Sequence, residues 1–480
     1  MSSVLPSRYL WSLLVALAVA WTSSAIAQET AALPSETALD RYVQQEDATY
    51  EWKLLKTIES RQYTGYVVEM KSQTWRTPEE VNRTVWEHHL TVVRPKELKT
   101  NKAFLFISGG SNNNAPPEGI SPLVLPIVSG TGAVVAELKQ IPNQPLEFHG
   151  DGQMRNEDDL IAYTWKKFIE TGDESWPARL PMVKASVRAM DTITALLASE
   201  EGGQATVDEF VVAGGSKRGW TTWLTGAADP RVVAIAPVVI DILNVRESMN
   251  HHFAAYGFWA PAVGDYVHHG ITELTNHPRH QDLMDLVDPY SYRHRLTMPK
   301  YLVNASGDEF FLPDSSQFYW DELQGEKLLR YVPNASHSLA GSDAPQSIMA
   351  WFHAVINDRA RPQYSWTFED DGAIRVESAD RPQKVVLWHA TNPEARDFRL
   401  EKIGRAYKGE ELSETESGVW VGRVPQPEQG FTAYFIELAF DCGLPQYPLK
   451  VSTAVRVVPD VLPFADQAPN ARATAAAAGN

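Results

Sequence analysis

The sequence predicts an α/β protein, with a mostly parallel sheet covered by helices and a β-rich region behind it. Three observations carry this reading. Short apolar runs of buried-strand type recur at residues 103–108, 133–138, 209–213, 232–240, 300–305 and 328–332. Between them, residues 182–198 repeat apolar side chains every three or four positions (Val183, Val187, Met190, Ile193, Leu196), the period of a helix. Beyond about Arg361 the pattern changes to short alternating segments at 365–368, 383–389, 418–424, 430–439 and 451–458, punctuated by Pro, Gly and Asp as in a β-sandwich.

The remaining elements follow in order. Residues 63–70 and 88–94 read as an opening antiparallel pair. Residues 243–296, rich in His, Tyr and Trp between two strand signals, read as a helical cap inserted over the sheet edge. The organisation expected is therefore a domain over 28–360 carrying the cap, a β-sandwich-like domain over 361–464, and an Ala-rich disordered tail over 465–480. No internal repeat is detected.

Residues 1–27 have the pattern of a cleaved export signal. Arg8 is their only charge, an apolar run covers 9–21, and Ala25-Ile26-Ala27 gives the small-x-small cleavage site. That run is shorter than the ~20 residues a membrane span needs. A single cysteine, Cys442, excludes an intrachain disulfide framework, which for an exported protein fits a bacterial periplasm. The 480 residues carry 43 Lys plus Arg against 60 Asp plus Glu, a net charge of −17, so no basic surplus is available for nucleic acid or an anionic membrane surface. Asn-x-Ser/Thr triplets occur at Asn82, Asn304 and Asn334, a pattern that arises often by chance.

The chemistry centres on Val211-Val212-Ala213-Gly214-Gly215-Ser216-Lys217-Arg218-Gly219-Trp220. A strand turning sharply into a helix, with Gly around a Ser, is the layout of a nucleophile elbow, which presents the hydroxyl at a helix N-terminus. The common form is Gly-x-Ser-x-Gly; here Arg218 holds the last Gly position. The plain alternative is a Gly-Gly turn with Ser216 as helix cap. A hydroxyl needs a base, and the base an orienting acid. The strand 300–305 ends in Ser306-Gly307-Asp308-Glu309, and the strand 328–332 ends in Pro333-Asn334-Ala335-Ser336-His337. Asp308 and His337 thus follow Ser216 in the order Ser, acid, His, each at the carboxyl edge of a strand. Glu309, Asp314 and Asp241 are alternative acids. The amide of Lys217 and one from Gly109 or Gly110 are the expected oxyanion donors.

Other chemistries are less well supplied. Seven of the 13 histidines fall in the cap (His251, His252, His268, His269, His277, His280, His294), but no zinc-type spacing occurs among them. Neither nucleotide nor dinucleotide glycine motifs are present, and no cofactor or metal is expected. Lys217 and Arg218 could grip an anionic substrate or serve structure alone. Trp259, Tyr256 and Tyr290 are candidate pocket aromatics whose plainer role is packing in the cap.

At these residues a resemblance enters. Gly214-Gly215-Ser216-Lys217-Arg218-Gly219-Trp220-Thr221-Thr222-Trp223 resembles the signature of the PhoPQ-activated pathogenicity-related proteins. Glu137 to Pro145, Arg188-Ala189-Met190-Asp191-Thr192, Asp288-Pro289-Tyr290-Ser291-Tyr292 and Gly307-Asp308-Glu309-Phe310-Phe311 match the same family, over about residues 39–459. The resemblance implies an α/β-hydrolase fold and export, with Arg218 as part of the family pattern; it implies no shared substrate. The expectation is an exported serine hydrolase acting on a small ester or peptide through Ser216, His337 and Asp308. The competing class is a binding or signalling protein that keeps the fold and has lost catalysis.

Overall fold

The computed structural model describes residues 36–121, 124–444 and 446–471; the signal-like segment 1–27 lies outside them. After α1 (Ala38–Gln44) come β1 (Glu51–Glu59), β2 (Tyr63–Thr74) and β3 (Val85–Pro95), joined antiparallel. Then follow β4 (Lys102–Ile107), α2 (Leu125–Thr131), β5 (Val134–Leu138), a small hairpin of β6 (Leu146–Glu147) and β7 (Met154–Arg155), α3 (Glu157–Thr171) and α4 (Arg179–Ala198). The elbow joins β8 (Glu209–Gly215) to α5 (Lys217–Ala228), and β9 (Val232–Val238) follows. The cap contains α6 (Val245–Tyr256), α7 (Gly264–His268) and α8 (Pro278–Val287) before β10 (Lys300–Ala305), β11 (Lys327–Val332) and α9 (Ala344–Ile356).

These strands make one nine-stranded sheet in the order β1-β2-β3-β5-β4-β8-β9-β10-β11, parallel from β5 to β11. Its continuous apolar runs follow from burial on both faces. Alternate residues point to opposite sides: Phe104, Val135, Val211, Ala234 and Val303 meet α2 and α9, while Leu105, Ala136, Val212, Ile235 and Leu302 meet α4, α5 and α8. The chain leaves β4 for β5 on one side and adds β8 on the other. This reversal opens a crevice beyond the carboxyl ends of β4 and β8, where Ile107 pairs with Gly214. The sequence reading missed β1, a strand with a charged, largely exposed face that carries no buried run.

Beyond α9, β12 (Tyr364–Phe368), β13 (Ile374–Ser378) and β16 (Val419–Gly422) form a three-stranded sheet. β14 (Lys384–Asn392), β15 (Lys408–Glu411), β17 (Phe431–Phe440), β18 (Leu449–Ser452) and β19 (Arg456–Val458) form a five-stranded one, with the short α10 (Leu400–Ile403) between β14 and β15. The segment read as one strand over 451–458 is two. Both pair with β17, but Thr453 leaves the ladder, its hydroxyl accepting from Ile436 N–H at 3.1 Å. Ile374, Val376 and Trp420 of the first sheet and Leu387, Ile436 and Leu438 of the second share a core with α9. The first part of the expected tail departs from that reading: Phe464 N–H bonds to Ala254 O at 2.8 Å and Asn470 N–H to Asn250 Oδ1 at 3.0 Å, which ties residues 464–470 to α6, while 472–480 lie outside the described residues.

The region between β14 and β15 reaches back to the large sheet. Arg396 donates to Asp314 Oδ2 at 2.6 Å, and His251 of α6 meets Asp314 Oδ1 at 3.0 Å, all three buried. Burial opposes charge on Asp314, but His251 and Arg396 outweigh it and hold the carboxyl far below its ordinary range. Removing one member of a buried pair strands the other charge. Arg396→Met is therefore expected to destabilise the protein by about 3 kcal/mol in chemical denaturation, with Asp314→Asn in the same chain restoring part of the loss.

Candidate active site

Ser216 stands between β8 and α5 at φ 56° and ψ −124°. A non-glycine residue resists this conformation, which persists only when its surroundings fix it. Here Ser216 N–H donates to Val238 O at 2.8 Å, and Ser216 O accepts from Trp220 N–H at 2.9 Å. Gly214 is required by the close approach of the α5 backbone: a Cβ there would lie 2.7 Å from the O and 2.9 Å from the Cβ of Arg218, the residue that departs from the common motif.

The Arg218 side chain has a defined task. Its guanidinium donates to Glu157 Oε2 at 2.8 Å and Oε1 at 2.5 Å, and Nε donates to Ile141 O at 2.5 Å. It also lies against Gly109, where a Cβ would sit 2.6 Å from Nη2. Lys217 Nζ pairs with Glu157 at 2.8 Å and Asp158 at 3.1 Å. Both cations are thus committed to the first turn of α3. Burial works against the Glu157 charge, yet Arg218 and Lys217 prevail and draw its pKa down to about 2.

The loop after β4 is held by its carbonyls. Ser108 O, Gly109 O and Gly110 O accept from Ile141 N–H, Gln140 N–H and Gln144 Nε2 at 3.2, 3.0 and 3.2 Å. In a trans peptide the next N–H points opposite to the carbonyl. The amides of Gly109 and Gly110 therefore face away from the 140–144 segment.

At the other side of the crevice, Asp308 follows β10 and His337 follows β11. His337 Nδ1 lies 2.8 Å from Asp308 Oδ2 and 3.0 Å from Oδ1. Phe310 N–H donates to the same carboxylate at 2.8 Å. With Asp308 accepting the hydrogen bond from Nδ1–H, the acceptor lone pair of that tautomer sits on Nε2. That Nε2 is buried and has no hydrogen-bond partner, and no hydrogen bond joins it to Ser216. Catalytic hydrogen bonds are often loose without substrate.

The other acids are occupied elsewhere. Glu309 accepts the His337 backbone N–H at 2.8 Å, and Asp314 belongs to His251 and Arg396. Asp241 is buried beneath Tyr319 and Tyr331, whose hydroxyls donate to its two oxygens. The acid and base loops are also tied to the C-terminal region: Gly307 N–H bonds to Ala335 O at 3.0 Å, and Leu400 N–H to Gly307 O at 2.9 Å. Asn334 exchanges two 2.9 Å bonds with the Tyr407 backbone.

Ser216 opens on a cavity of about 80 Å³ walled by α3, α4, α5, the cap, Phe310, Phe311 and the tail residues Pro469 and Asn470. Of the three candidate aromatics, Trp259 lines it, while Tyr256 and Tyr290 do not. Tyr256 stacks on Phe258 with Arg399 over its ring, and Tyr290 donates to Glu322 at 2.5 Å. Gly109, Gly110, Asp308 and His337 lie outside this lining. Sequence reasoning missed Trp165, Trp220 and Phe311, which converge from distant segments, and the α3 carboxylates; the Glu157-Asp158-Asp159 run was the available signal for a partner of Lys217 and Arg218. The cap histidines are dispersed: His251 meets Asp314, His252 accepts from Ala260 N–H, His269 meets Asp159 at 2.6 Å, and His280 lines the cavity.

A strand–elbow–helix at the switch point of this sheet, with an acid and a histidine after its last two strands, defines the α/β-hydrolase fold. The chain belongs to the PhoPQ-activated pathogenicity-related protein family, whose model matches residues 39–399. It is 40% identical over 459 residues to autocrine proliferation repressor protein A of Dictyostelium discoideum, covering 89% of this chain and 92% of that one. Among solved structures, acetyl xylan esterase 1 of a Thermoanaerobacterium species is similar over 66% of this chain and 92% of its own, with a TM-score of 0.47 and 14% identity. The acylaminoacyl peptidase of Pyrococcus horikoshii is similar over 66% and 52%, with a TM-score of 0.39 and 11% identity.

Asp241 yields a pH prediction. Burial, against the two tyrosine hydrogen bonds, raises its pKa to about 7. The folded state then holds a proton that the unfolded state has released above its ordinary value near 4, so this group makes stability fall as pH rises from about 4 to about 7. Asp241→Asn removes that slope. Denaturation from pH 4.5 to 7.5 should show the Asn variant gaining on the wild type as pH rises; a constant difference would sink the assignment.

Proposed function

We propose that this protein is an exported serine hydrolase that cleaves an ester or peptide bond. Ser216 Oγ attacks the scissile carbonyl carbon and passes its proton to His337 Nε2, while Asp308 holds Nδ1–H and stabilises the imidazolium. The oxyanion is received by the amide of Lys217 and one of Gly109 or Gly110. Nε2 returns the proton to the leaving group, and water, activated by the same nitrogen, releases the acyl group from Ser216. No cofactor enters this scheme. The observation that carries it is the 2.8 Å Asp308–His337 contact, which leaves a buried basic nitrogen without a partner on the sheet edge that bears Ser216. Export rests on the pattern of residues 1–27; among the described residues no helix is long and apolar enough to cross a membrane.

A second reading, a catalytically silent protein with a signalling role, is favoured by the name of the 40% identical relative, a proliferation repressor. A fluorophosphonate probe separates the two because it needs an activated serine. Wild type should label at Ser216, and Ser216→Ala and His337→Ala should each lose at least about a thousandfold in rate. A folded wild type that does not label would support the silent reading.

A further inference from the structure

The cavity at Ser216 has a definite size and polarity, and both bear on what it can hold. Its wall is dominated by apolar side chains, among them Trp165, Trp220, Trp259, Ile242, Met249 and Phe311. Of the charged members of the wall, Lys217 and Asp158 are engaged in ion pairs, while Arg179 and Arg246 form none among the described residues. Lys217 is paired with Glu157 and Asp158, and Asp158 also takes the Tyr266 hydroxyl at 3.1 Å. Arg179 donates to Lys217 O at 2.9 Å and lies 4.3 Å over the Trp220 ring. Arg246 is exposed to solvent. His280 is buried, which pushes its pKa down to about 4 and leaves it neutral at pH 7. The wall thus offers mainly apolar surface beside the nucleophile.

Volume sets the second limit. A dry apolar cavity of ~150 Å³ admits benzene; the present one, at about 80 Å³, is roughly half as large. Taken in proportion, it holds about three to four carbons.

We infer that this cavity selects substrates in which the scissile carbonyl carries a short aliphatic group. This rests on Ser216 being the nucleophile. The same chemistry occurs in a short-chain acyl ester and in a peptide with a small aliphatic side chain at the cleaved residue. Two substrate series distinguish these sources: p-nitrophenyl esters from acetate to decanoate, and peptidyl p-nitroanilides ending in Ala, Val or Phe.

In whichever series is turned over, kcat/KM should rise as the cavity fills, by about fourfold per added methylene from acetate to butyrate. It should fall at least about tenfold by octanoate, or from Val to Phe. Met249→Ala and Trp259→Leu, two independent enlargements checked for folding by circular dichroism, should each shift the optimum to longer or larger groups. A kcat/KM that is flat, or still rising at decanoate or Phe, overturns the inference, as does an optimum that neither variant moves. If the wild type turns over nothing, the nucleophile assignment fails, and the cavity is decided separately by tryptophan fluorescence of full-length Ser216→Ala. Saturable quenching by butyramide and none by octanamide supports the size limit. Quenching by octanamide, or by neither, overturns it.

Discussion

Holding a serine at positive φ costs about 1–3 kcal/mol, and the architecture around β8 is organised to keep Ser216 from relaxing. Its N–H is pinned to Val238 O on the neighbouring strand, and its C=O begins the α5 ladder. Arg218 then fixes the turn from outside by joining Glu157 and the Ile141 carbonyl. The first turn of α3, the 140–144 segment, the loop after β4 and the elbow meet at one guanidinium. Glu157 opens a helix, where the dipole favours negative charge. The ion network is therefore stabilised by the helix it anchors.

Asp308 and His337 depend on a different part of the chain. Asp308 and His337 sit on loops whose backbones bond to each other and to the segment between β14 and β15, through Gly307, Asn334, Leu400 and Tyr407. Gly307 is confined there: a Cβ would lie 3.0 Å from both Ala335 O and Leu400. Arg396 adds a buried charge that reaches the cap through Asp314 and His251. The C-terminal β region thus braces the half of the crevice that carries His337, as α3 braces the half that carries Ser216.

Much of this was legible in the sequence, for a physical reason. Parallel strands buried on both faces leave continuous apolar runs, so β4, β5 and β8 to β11 stand out, and the residues at their carboxyl ends can be found by position. Ser216, Asp308 and His337 were reached in that way. Charged β1 leaves no such run. The buried network was illegible because its partners lie far apart in sequence: 63 residues separate His251 from Asp314, and 82 separate Asp314 from Arg396. Nor could the cap histidines be sorted by spacing, since each one's partner is set by packing. His269 meets Asp159 of α3, whereas His251 meets the loop after β10.

The choice between an enzyme and a silent relative of enzymes turns on features with no structural use. A strained serine and a buried nitrogen without a partner both weigh against stability, the first through its backbone and the second through lost solvation. Replacing His337 with an apolar residue of similar size would remove the unpartnered nitrogen, and glycine at position 216 would relieve the strain. Arg218 and Asp308 carry no such cost, because each is satisfied by its neighbours. Ser216 and His337 Nε2 stand at one sheet edge, each held by satisfied surroundings, which is the arrangement that the proposed chemistry at Ser216 requires.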